Sequence, residues 1–292
     1  MEFNLSRITL GLWRALEWKY STNELDNLIA QSIELGITSF DHADIYGHYE
    51  CEALFGNVLR ADHSLRTKMQ IATKCGIKIT SPKFPEHTMH IYDTGKGHII
   101  KSAENSLKNL ATDYIDVLLI HRPDPLMNAD EIAEAFYQLN KSGKVLNFGV
   151  SNFLPHQFKL LQSRLDLPLV TNQIEVSVLY HEHFDNGNID FLQENRIAPM
   201  VWSPFAGGRI FSENSERANR VRNVLHELSE KYNVGIDAIA AAWLLFHPVN
   251  FVVVLGTGKI DRIKSAVKGL DVKLSREDWF KIWIAAKGHD IP

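Results

Sequence analysis

The chain has 292 residues, 45% of them apolar and 23% charged, the ordinary balance of a globular protein with a sizeable core. Its formal charge of −4 offers no basic field for nucleic acid or an anionic membrane surface, and no apolar run reaches the roughly 18 residues that span a bilayer. The opening residues, Met1 to Arg7, do not have the basic-then-apolar layout of a secretory leader, and Cys51 and Cys75 are too few for a disulfide framework, so a reducing, cytoplasmic setting is expected.

From the N-terminus onward, short apolar runs alternate with amphipathic stretches. Strand-like runs fall at 8–12, 37–41, 69–74, 115–121, 146–151, 169–173, 197–202 and 251–255. Between them the spacing of apolar residues predicts helices over 22–35, 48–60, 98–111, 128–142, 156–165, 187–195, 216–232 and 260–269. Several strands are nearly continuous apolar runs, as in Ile115-Asp-Val-Leu-Leu-Ile120, which suits parallel strands covered on both faces. There is no linker, low-complexity tract or fixed-period repeat, so residues 1–292 are expected to form one α/β domain, a closed (β/α)8 TIM barrel. The alternative, an open doubly wound sheet, calls for a Gly-x-Gly-x-x-Gly fingerprint after an early strand, and the sequence has none.

Three stretches interrupt the alternation. Residues 77–97, after the third strand, are predicted to be a lid or binding loop covering part of the strand C-termini. Residues 203–215 form a second loop containing Gly207-Gly208, and 237–246 carry an extra helical pattern. The aromatics Trp13, Trp18, Tyr49, Phe84 and Tyr92 would either make a pocket near these loops apolar or simply pack.

In a barrel, reactive groups come from the C-terminal ends of the strands and the loops beyond them. The polar residues at those positions are Asp41 and Tyr46, Lys74, His121, Ser151-Asn152, Gln173 and Trp202-Ser203. Each alone has a plainer reading. Asp41 and Gly47 could make a turn, Lys74 could be a solvated strand end, His121 could cap a turn, and Ser151-Asn152 could cap the helix that Pro155 begins. Together they put a carboxylate, a phenol, an ammonium and an imidazole on the strand ends of one face.

The same residues carry a resemblance. Phe40-Asp-His-Ala-Asp-Ile-Tyr-Gly47, Ala72-Thr-Lys74, the run from Asp113 to Asp124 ending in Ile-His-Arg-Pro-Asp, and Gly143-Lys-Val-Leu-Asn-Phe-Gly-Val-Ser-Asn-Phe153 resemble the aldo-keto reductases. The similarity continues through Asn172-Gln-Ile-Glu175, Trp202-Ser-Pro-Phe205 and Leu255-Gly-Thr-Gly-Lys-Ile-Asp-Arg262 and covers nearly the whole chain. Residues 91–98 and the C-terminal Ala285-Ala-Lys-Gly-His-Asp-Ile-Pro292 are most similar to a bacterial subgroup of oxidoreductases. That family is a (β/α)8 barrel that takes a nicotinamide dinucleotide without a Rossmann fold.

The resemblance implies an NADPH-dependent oxidoreductase that reduces aldehyde or ketone carbonyls to alcohols, or oxidises alcohols in reverse, as a monomer acting on a small molecule. Tyr46 would be the general acid, with Asp41, Lys74 and His121 around it. A free phenol, with a pKa of about 10, gives up its proton poorly at neutral pH, so Lys74 is expected to lower that value while Asp41 keeps Lys74 charged. His121 would orient the carbonyl. Ser151, Asn152 and Gln173 would meet the nicotinamide carboxamide, and Trp202 would stack on its ring. Ser203, Phe205, Gly207 and Gly208 would line the pyrophosphate. Gly256, Thr257, Gly258, Lys259 and Arg262 would meet the adenosine phosphate end. His42 stands where threonine or serine is common, and Ser265-Ala266 replaces an acidic-amide pair that often contacts adenine. The alternative function is an NADP(H)-binding redox-sensing or partner subunit with slow turnover.

Other signals carry less. Tyr92-Asp-Thr-Gly-Lys96 has the Tyr-x-x-x-Lys spacing of short-chain dehydrogenases, but Gly95 and Gly97 break the helix that spacing needs. His181 and His183, and the trio His87, His90 and His98, read as solvated loop histidines rather than metal ligands, and no metal is expected. Asp113 and Asp116 read as turn residues at a strand start.

Overall fold

The structure is a computed structural model that describes residues 4–292, so the first three residues of the N-terminal segment read above lie outside the described residues. The chain divides into two compact units, one ending at Gln173 and the other running from Ile174 to Pro292.

The first unit holds β1 (Ile8–Gly11), α1 (Thr22–Glu34), β2 (Ser39–Asp41), α2 (Cys51–Ala61), β3 (Gln70–Cys75), β4 (Ile77–Lys78), β5 (Ile91–Tyr92), α3 (Lys96–Leu110), β6 (Ile115–Ile120), α4 (Ala129–Lys141), β7 (Val145–Ser151), α5 (Pro155–Gln162) and β8 (Leu169–Glu175), which crosses the boundary. The second holds α6 (Glu182–Asp185), α7 (Asn188–Glu194), β9 (Met200–Trp202), α8 (Arg209–Ser212), α9 (Glu216–Tyr232), α10 (Ile236–Leu245), β10 (Val252–Leu255), α11 (Ile260–Val267) and α12 (Arg276–Lys287). Among the described residues, eight strands close into a barrel in the order β1-β10-β9-β8-β7-β6-β3-β2, and β4 and β5 form a separate antiparallel ribbon. The neighbouring pairs β1–β2, β2–β3, β3–β6, β6–β7 and β7–β8 run parallel, as do β9–β10. Among the described residues no helix is long and apolar enough to cross a membrane.

Local chemistry explains the element boundaries. α1 starts at a capping box in which the Ser21 hydroxyl accepts from Glu24 N–H and the Glu24 carboxylate accepts from Ser21 N–H, satisfying two donors that the first helical turn leaves open. α5 begins at Pro155, whose missing N–H costs nothing there. α9 and α12 are capped by Ser215 and Ser275. In the first unit Leu10, Phe40, Phe55, Leu118, Phe136 and Phe148 are buried, with the Phe136 and Phe148 rings stacked at 4.0 Å.

Three differences from the sequence reading have physical causes. The 77–97 stretch is not one open loop: β4 and β5 pair Ile77 with Tyr92 and Lys78 with Ile91. Tyr92 therefore lies in a strand and Lys96 at the start of a helix, which removes the helical Tyr–Lys pair. Asp116 is more than a turn residue, because its carboxylate accepts from Arg66 at 2.6 Å and from the Ile71 N–H at 2.8 Å, tying β6 to β3. His181 and His183 are buried rather than solvated: His181 stacks on Trp283 at 4.6 Å and on Trp243 at 5.4 Å in an aromatic core within the second unit.

Candidate active site

β2 ends at Asp41, and the chain then turns through His42–Tyr46 toward α2. Two backbone bonds lace this turn to β3, from His42 N–H to the Ala72 carbonyl at 2.8 Å and from Asp44 N–H to the Lys74 carbonyl at 3.1 Å. Gly47, His48 and Tyr49 all adopt positive φ (57°, 54° and 72°), an uncommon sequence of left-handed residues that swings the chain from Tyr46 into the helix. A side chain at Gly47 would meet Leu16 at 2.5 Å and Cys51 Sγ at 2.7 Å, so glycine is required there on steric grounds as well. The left-handed Tyr49 is held by the 77–97 stretch: Phe84 packs edge-on at 4.6 Å, Ile79 N–H donates to its hydroxyl at 3.0 Å, and Lys83 Nζ donates to its carbonyl at 2.9 Å. The predicted lid thus lies against the turn that carries Tyr46. Of the aromatics singled out in the sequence, Tyr49 and Phe84 pack on each other, whereas Trp13 and Tyr92 remain exposed.

Lys74 is the hub. Its side chain is fully buried, and Nζ donates to both Asp41 carboxylate oxygens at 2.8 Å, to the His42 carbonyl at 2.7 Å and to Tyr46 Oη at 3.1 Å. An ammonium has three protons, so one shared by the carboxylate, one on the carbonyl and one on the phenol saturate it. Burial works against its charge, but Asp41 and Tyr46 overcome that and hold its pKa above the ordinary 10.5. Asp41 is steadied from the far side by Gln173 Nε2, which donates to Oδ1 at 2.8 Å. That tie went unseen in the sequence, where Gln173 was read only as a cofactor contact.

The phenol departs from the expectation. Burial raises the Tyr46 pKa above its ordinary 10.0; Lys74 pulls it down and Asp41 pushes it up, and the net direction is upward. The sequence reading counted the cation and missed the desolvation. His121 sits at the end of β6, with its N–H on the Cys75 carbonyl at 2.8 Å and its ring 5.9 Å from that of Tyr46 at 76°. Burial, then Lys74 and Arg122, holds its pKa well below 6.5, so it is a neutral imidazole at working pH. Its Nδ1 is buried with no hydrogen-bond partner.

Beside these groups, Ser151 and Asn152 leave β7. The Ser151 hydroxyl and the Asn152 N–H both donate to the Gln173 carbonyl, at 3.0 and 2.9 Å, Asn152 Nδ2 donates to Ser151 Oγ at 2.7 Å, and Asn152 is left-handed at φ 60°. The structure therefore brings Asp41, Tyr46, Lys74, His121, Ser151, Asn152 and Gln173 into the first unit.

In the second unit Trp202 ends β9, and the chain continues through left-handed Ser203, Ala206, Gly207 and Gly208 at φ 51°, 51°, 66° and 96°. Phe205 packs edge-on to Phe211 at 6.1 Å. After β10, Gly256, Thr257 and Gly258 lead to Lys259, whose N–H donates to Thr257 Oγ1 at 3.2 Å, and Arg262 lies in the first turn of α11 with its N–H on the Lys259 carbonyl at 3.0 Å. Lys259 and Arg262 are exposed. A Cβ added at Gly207, Gly208 or Gly256 would meet nothing within 4 Å, so internal packing is not what keeps these positions bare. Ser265 and Ala266 have internal duties: the Ser265 hydroxyl donates to Asp237 Oδ1 at 2.8 Å, and Ala266 is fully buried.

The sequence matches the Aldo/keto reductase family over residues 7–286, with the barrel and the strand-end constellation just described. The chain belongs to the aldo/keto reductase family. It is similar to the uncharacterised oxidoreductase YcsN of Bacillus subtilis, 49% identical over 100% of this chain and 97% of the relative. It is also similar to the 6-dehydroglucose reductase of Agrobacterium fabrum, 43% identical over 99% of this chain and 97% of that relative. In fold it is similar to the glycerol dehydrogenase of Gluconobacter oxydans, with a TM-score of 0.85 at 22% identity over 99% of this chain and 94% of that one. The protein is thus an aldo/keto reductase family oxidoreductase, of a family acting on small carbonyl compounds.

Proposed function

We propose that this aldo/keto reductase reduces aldehyde or ketone carbonyls to alcohols with NADPH, and that Tyr46 donates the proton. The observation that carries the proposal is the Lys74 Nζ bridge between the Asp41 carboxylate and Tyr46 Oη in a buried setting. Bound NADPH would supply the hydride that reaches the carbonyl carbon. The developing alkoxide needs a proton, and Tyr46, kept protonated by burial, has one to give. As it leaves, the phenolate oxygen gains charge 3.1 Å from the Lys74 ammonium, the stabilisation that matters most in the transition state. His121, being neutral, fits a hydrogen-bonding role toward the carbonyl oxygen and not that of an acid. Asp41 and Gln173 keep Lys74 charged and in place.

Residues in each unit have the chemistry that parts of the cofactor would need. Ser151, Asn152 and Gln173 offer hydroxyl and amide groups suited to a carboxamide, and Trp202 an indole suited to stacking. Ser203, Phe205 and the left-handed Gly207-Gly208 turn suit a pyrophosphate, since no side chain at either glycine bars a ligand from the backbone. Gly256, Thr257 and Gly258, with the exposed cations Lys259 and Arg262 at the start of α11, suit an adenosine 2′-phosphate. The likeness to a 6-dehydroglucose reductase favours sugar-derived carbonyls as the first compounds to try.

The test is NADPH consumption over a panel of aldehydes, ketones and 6-dehydroglucose. Many turnovers per protein are expected on at least one compound, and Tyr46→Phe should lower that rate by about 10²–10⁴-fold with NADPH binding unchanged. Tight NADPH binding with a single slow turnover on every compound would instead identify a redox-sensing subunit. A Tyr46→Phe protein that turns over at the wild-type rate overturns the assignment of the proton donor.

A further inference from the structure

Two buried carboxyl groups near Lys74 are not used by the proposed chemistry. Asp44 is 6% exposed and Glu52, in the first turn of α2, is 1% exposed. Asp44 sits in the middle of the turn that ends at Tyr46. Its Oδ1 accepts from the Ile45 N–H at 2.7 Å, and its Oδ2 accepts from the Ser102 hydroxyl of α3 at 2.6 Å. Ser102 is itself buried. Glu52 Oε1 accepts from Thr73 Oγ1 at 2.7 Å.

This arrangement gives the turn a third anchor. The backbone bonds at His42 and Asp44 fix it to β3, and at its far end the Tyr46 carbonyl accepts from the Glu50 and Cys51 N–H groups, both at 3.2 Å, where α2 begins. The Asp44 side chain adds a tie to a further element, α3. A shift of a few tenths of an ångström at Tyr46 would lengthen its 3.1 Å bond to Lys74, the contact on which proton donation depends. We propose that Asp44 is a positioning residue for Tyr46, holding the 42–46 turn onto α3 through Ser102 so that the phenol stays on Lys74. The proposal rests on the reading of Tyr46 as the proton donor.

The electrostatics adds a signature. Asp44 is faced by Glu52 from α2 and by Lys74 and Cys75 from β3, with Tyr49 beyond the turn. Burial, reinforced by Glu52 and opposed by the Ser102 and Ile45 bonds and by Lys74, pushes its pKa up to about 8. At neutral pH it is an uncharged acid, and Asp41 alone answers the Lys74 ammonium. Above that pH a second carboxylate appears near Lys74, and it disfavours the phenolate that proton donation creates.

The experiment uses the full chain with NADPH and the best carbonyl of the panel, and compares Ser102→Ala, Asp44→Ala and Asp44→Asn with Tyr46→Phe. Ser102→Ala removes one hydroxyl and should melt within a few degrees of wild type, yet lower kcat about 10-fold or more with KM and NADPH affinity nearly unchanged. Asp44→Ala should do the same more strongly. Asp44→Asn can still accept from Ile45 and donate to Ser102, so it should recover most of kcat at pH 7. It should also lack the fall in kcat that is expected of wild type as pH rises past about 8. If Ser102→Ala and Asp44→Asn both keep wild-type kcat and the wild-type alkaline fall while Tyr46→Phe is inactive, the positioning role is wrong and the proton donor stands. If Tyr46→Phe is active, the underlying reading fails first. An Asp44→Ala that does not fold leaves the Ser102→Ala kcat and the Asp44→Asn pH profile to decide.

Discussion

Replacing Lys74 with methionine tests the hub without assuming any substrate. The side chain is 0% exposed and its partner Asp41 4% exposed, so the substitution leaves a carboxylate in the protein interior with Gln173 Nε2 as its remaining charge-stabilising donor. Removing one member of a buried ion pair costs about 3–5 kcal/mol, because the other charge keeps its desolvation penalty and loses its compensation. For a chain of this size that corresponds to a melting temperature lower by roughly 5–8 °C. Lys74→Met combined with Asp41→Asn removes the stranded charge and should recover more than half of the loss, although neither protein should reduce carbonyls. Urea unfolding of wild type, both single variants and the double variant measures the coupling directly, with an unchanged m value confirming that the same transition is followed. The pH dependence has a fixed sign. Lys74 has its folded pKa raised above 10.5, so its contribution is fully present below about that value and lost as pH rises through the raised one. In an Asp44→Asn background, which removes the neighbouring group that titrates at about 8, the Lys74 contribution should therefore not be lost anywhere between about pH 6 and 9. A single variant as stable as wild type, or a double variant no more stable than the single, would refute the argument that this pair is a buried, coupled charge.

Other consequences are as open to measurement. Arg262→Ala should weaken NADPH binding by about 1–3 kcal/mol, the scale of a lost charge-assisted bond, and leave NADH nearly unaffected; equal losses in fluorescence titrations would show that Arg262 does not read the 2′-phosphate. Gly56→Ala should destabilise the fold by about 1–3 kcal/mol in urea titrations, since the new Cβ would lie 1.9 Å from the Asn109 carbonyl oxygen where α2 crosses α3; a neutral result would mean the two helices can separate freely. Asp278 is desolvated, but bonds from Lys231, Tyr232 and Ser275 hold its pKa down from 3.8 to about 2. Its contribution is present above 3.8 and lost as pH falls toward 2, so the melting-temperature gap between wild type and Asp278→Asn should shrink across that window and not at neutral pH.

Much of this molecule was legible in the sequence. Period and residue type located the barrel strands, because a parallel strand buried on both faces is a short apolar run whatever its neighbours do. The predicted helix at 216–232 matches α9 at both ends, since Ser215 and left-handed Asn233 are local signals that cap it. Boundaries failed where tertiary contacts decide them. The strand expected at 197–202 begins only at Met200, because Pro199 has no N–H for a ladder. The short α6, the short α8 inside the expected 203–215 loop, and the final α12 were missed: the first two are single turns, and the last is amphipathic but follows no strand. At the site, residue types and spacing located the Asp41, Tyr46, Lys74 and His121 group. They could not give the Gln173 bond to Asp41, which joins positions 132 residues apart, or the burial that reverses the expected Tyr46 shift.

That reversal bears on which group moves the proton. Two candidates for the acid lie side by side, a phenol and an imidazole with ring centres 5.9 Å apart. Lys74 acts on both with the same sign, favouring the deprotonated form of each, but the two start from different places. The imidazole begins at 6.5, and burial together with two neighbouring cations takes it further down, so it holds no acidic proton to give at neutral pH. The phenol begins at 10.0, burial takes it up, and the same Lys74 only moderates the rise, so it stays protonated. Desolvation therefore divides the labour between them: it neutralises the histidine by stripping its proton and neutralises the tyrosine by keeping it. A neutral histidine can still donate one hydrogen bond to a carbonyl oxygen, and that polarises the bond without transferring charge. On the proposed reading, the site thus offers the carbonyl one donor that keeps its proton and one that can give it up, and Lys74 is placed where the charge arrives when Tyr46 does so.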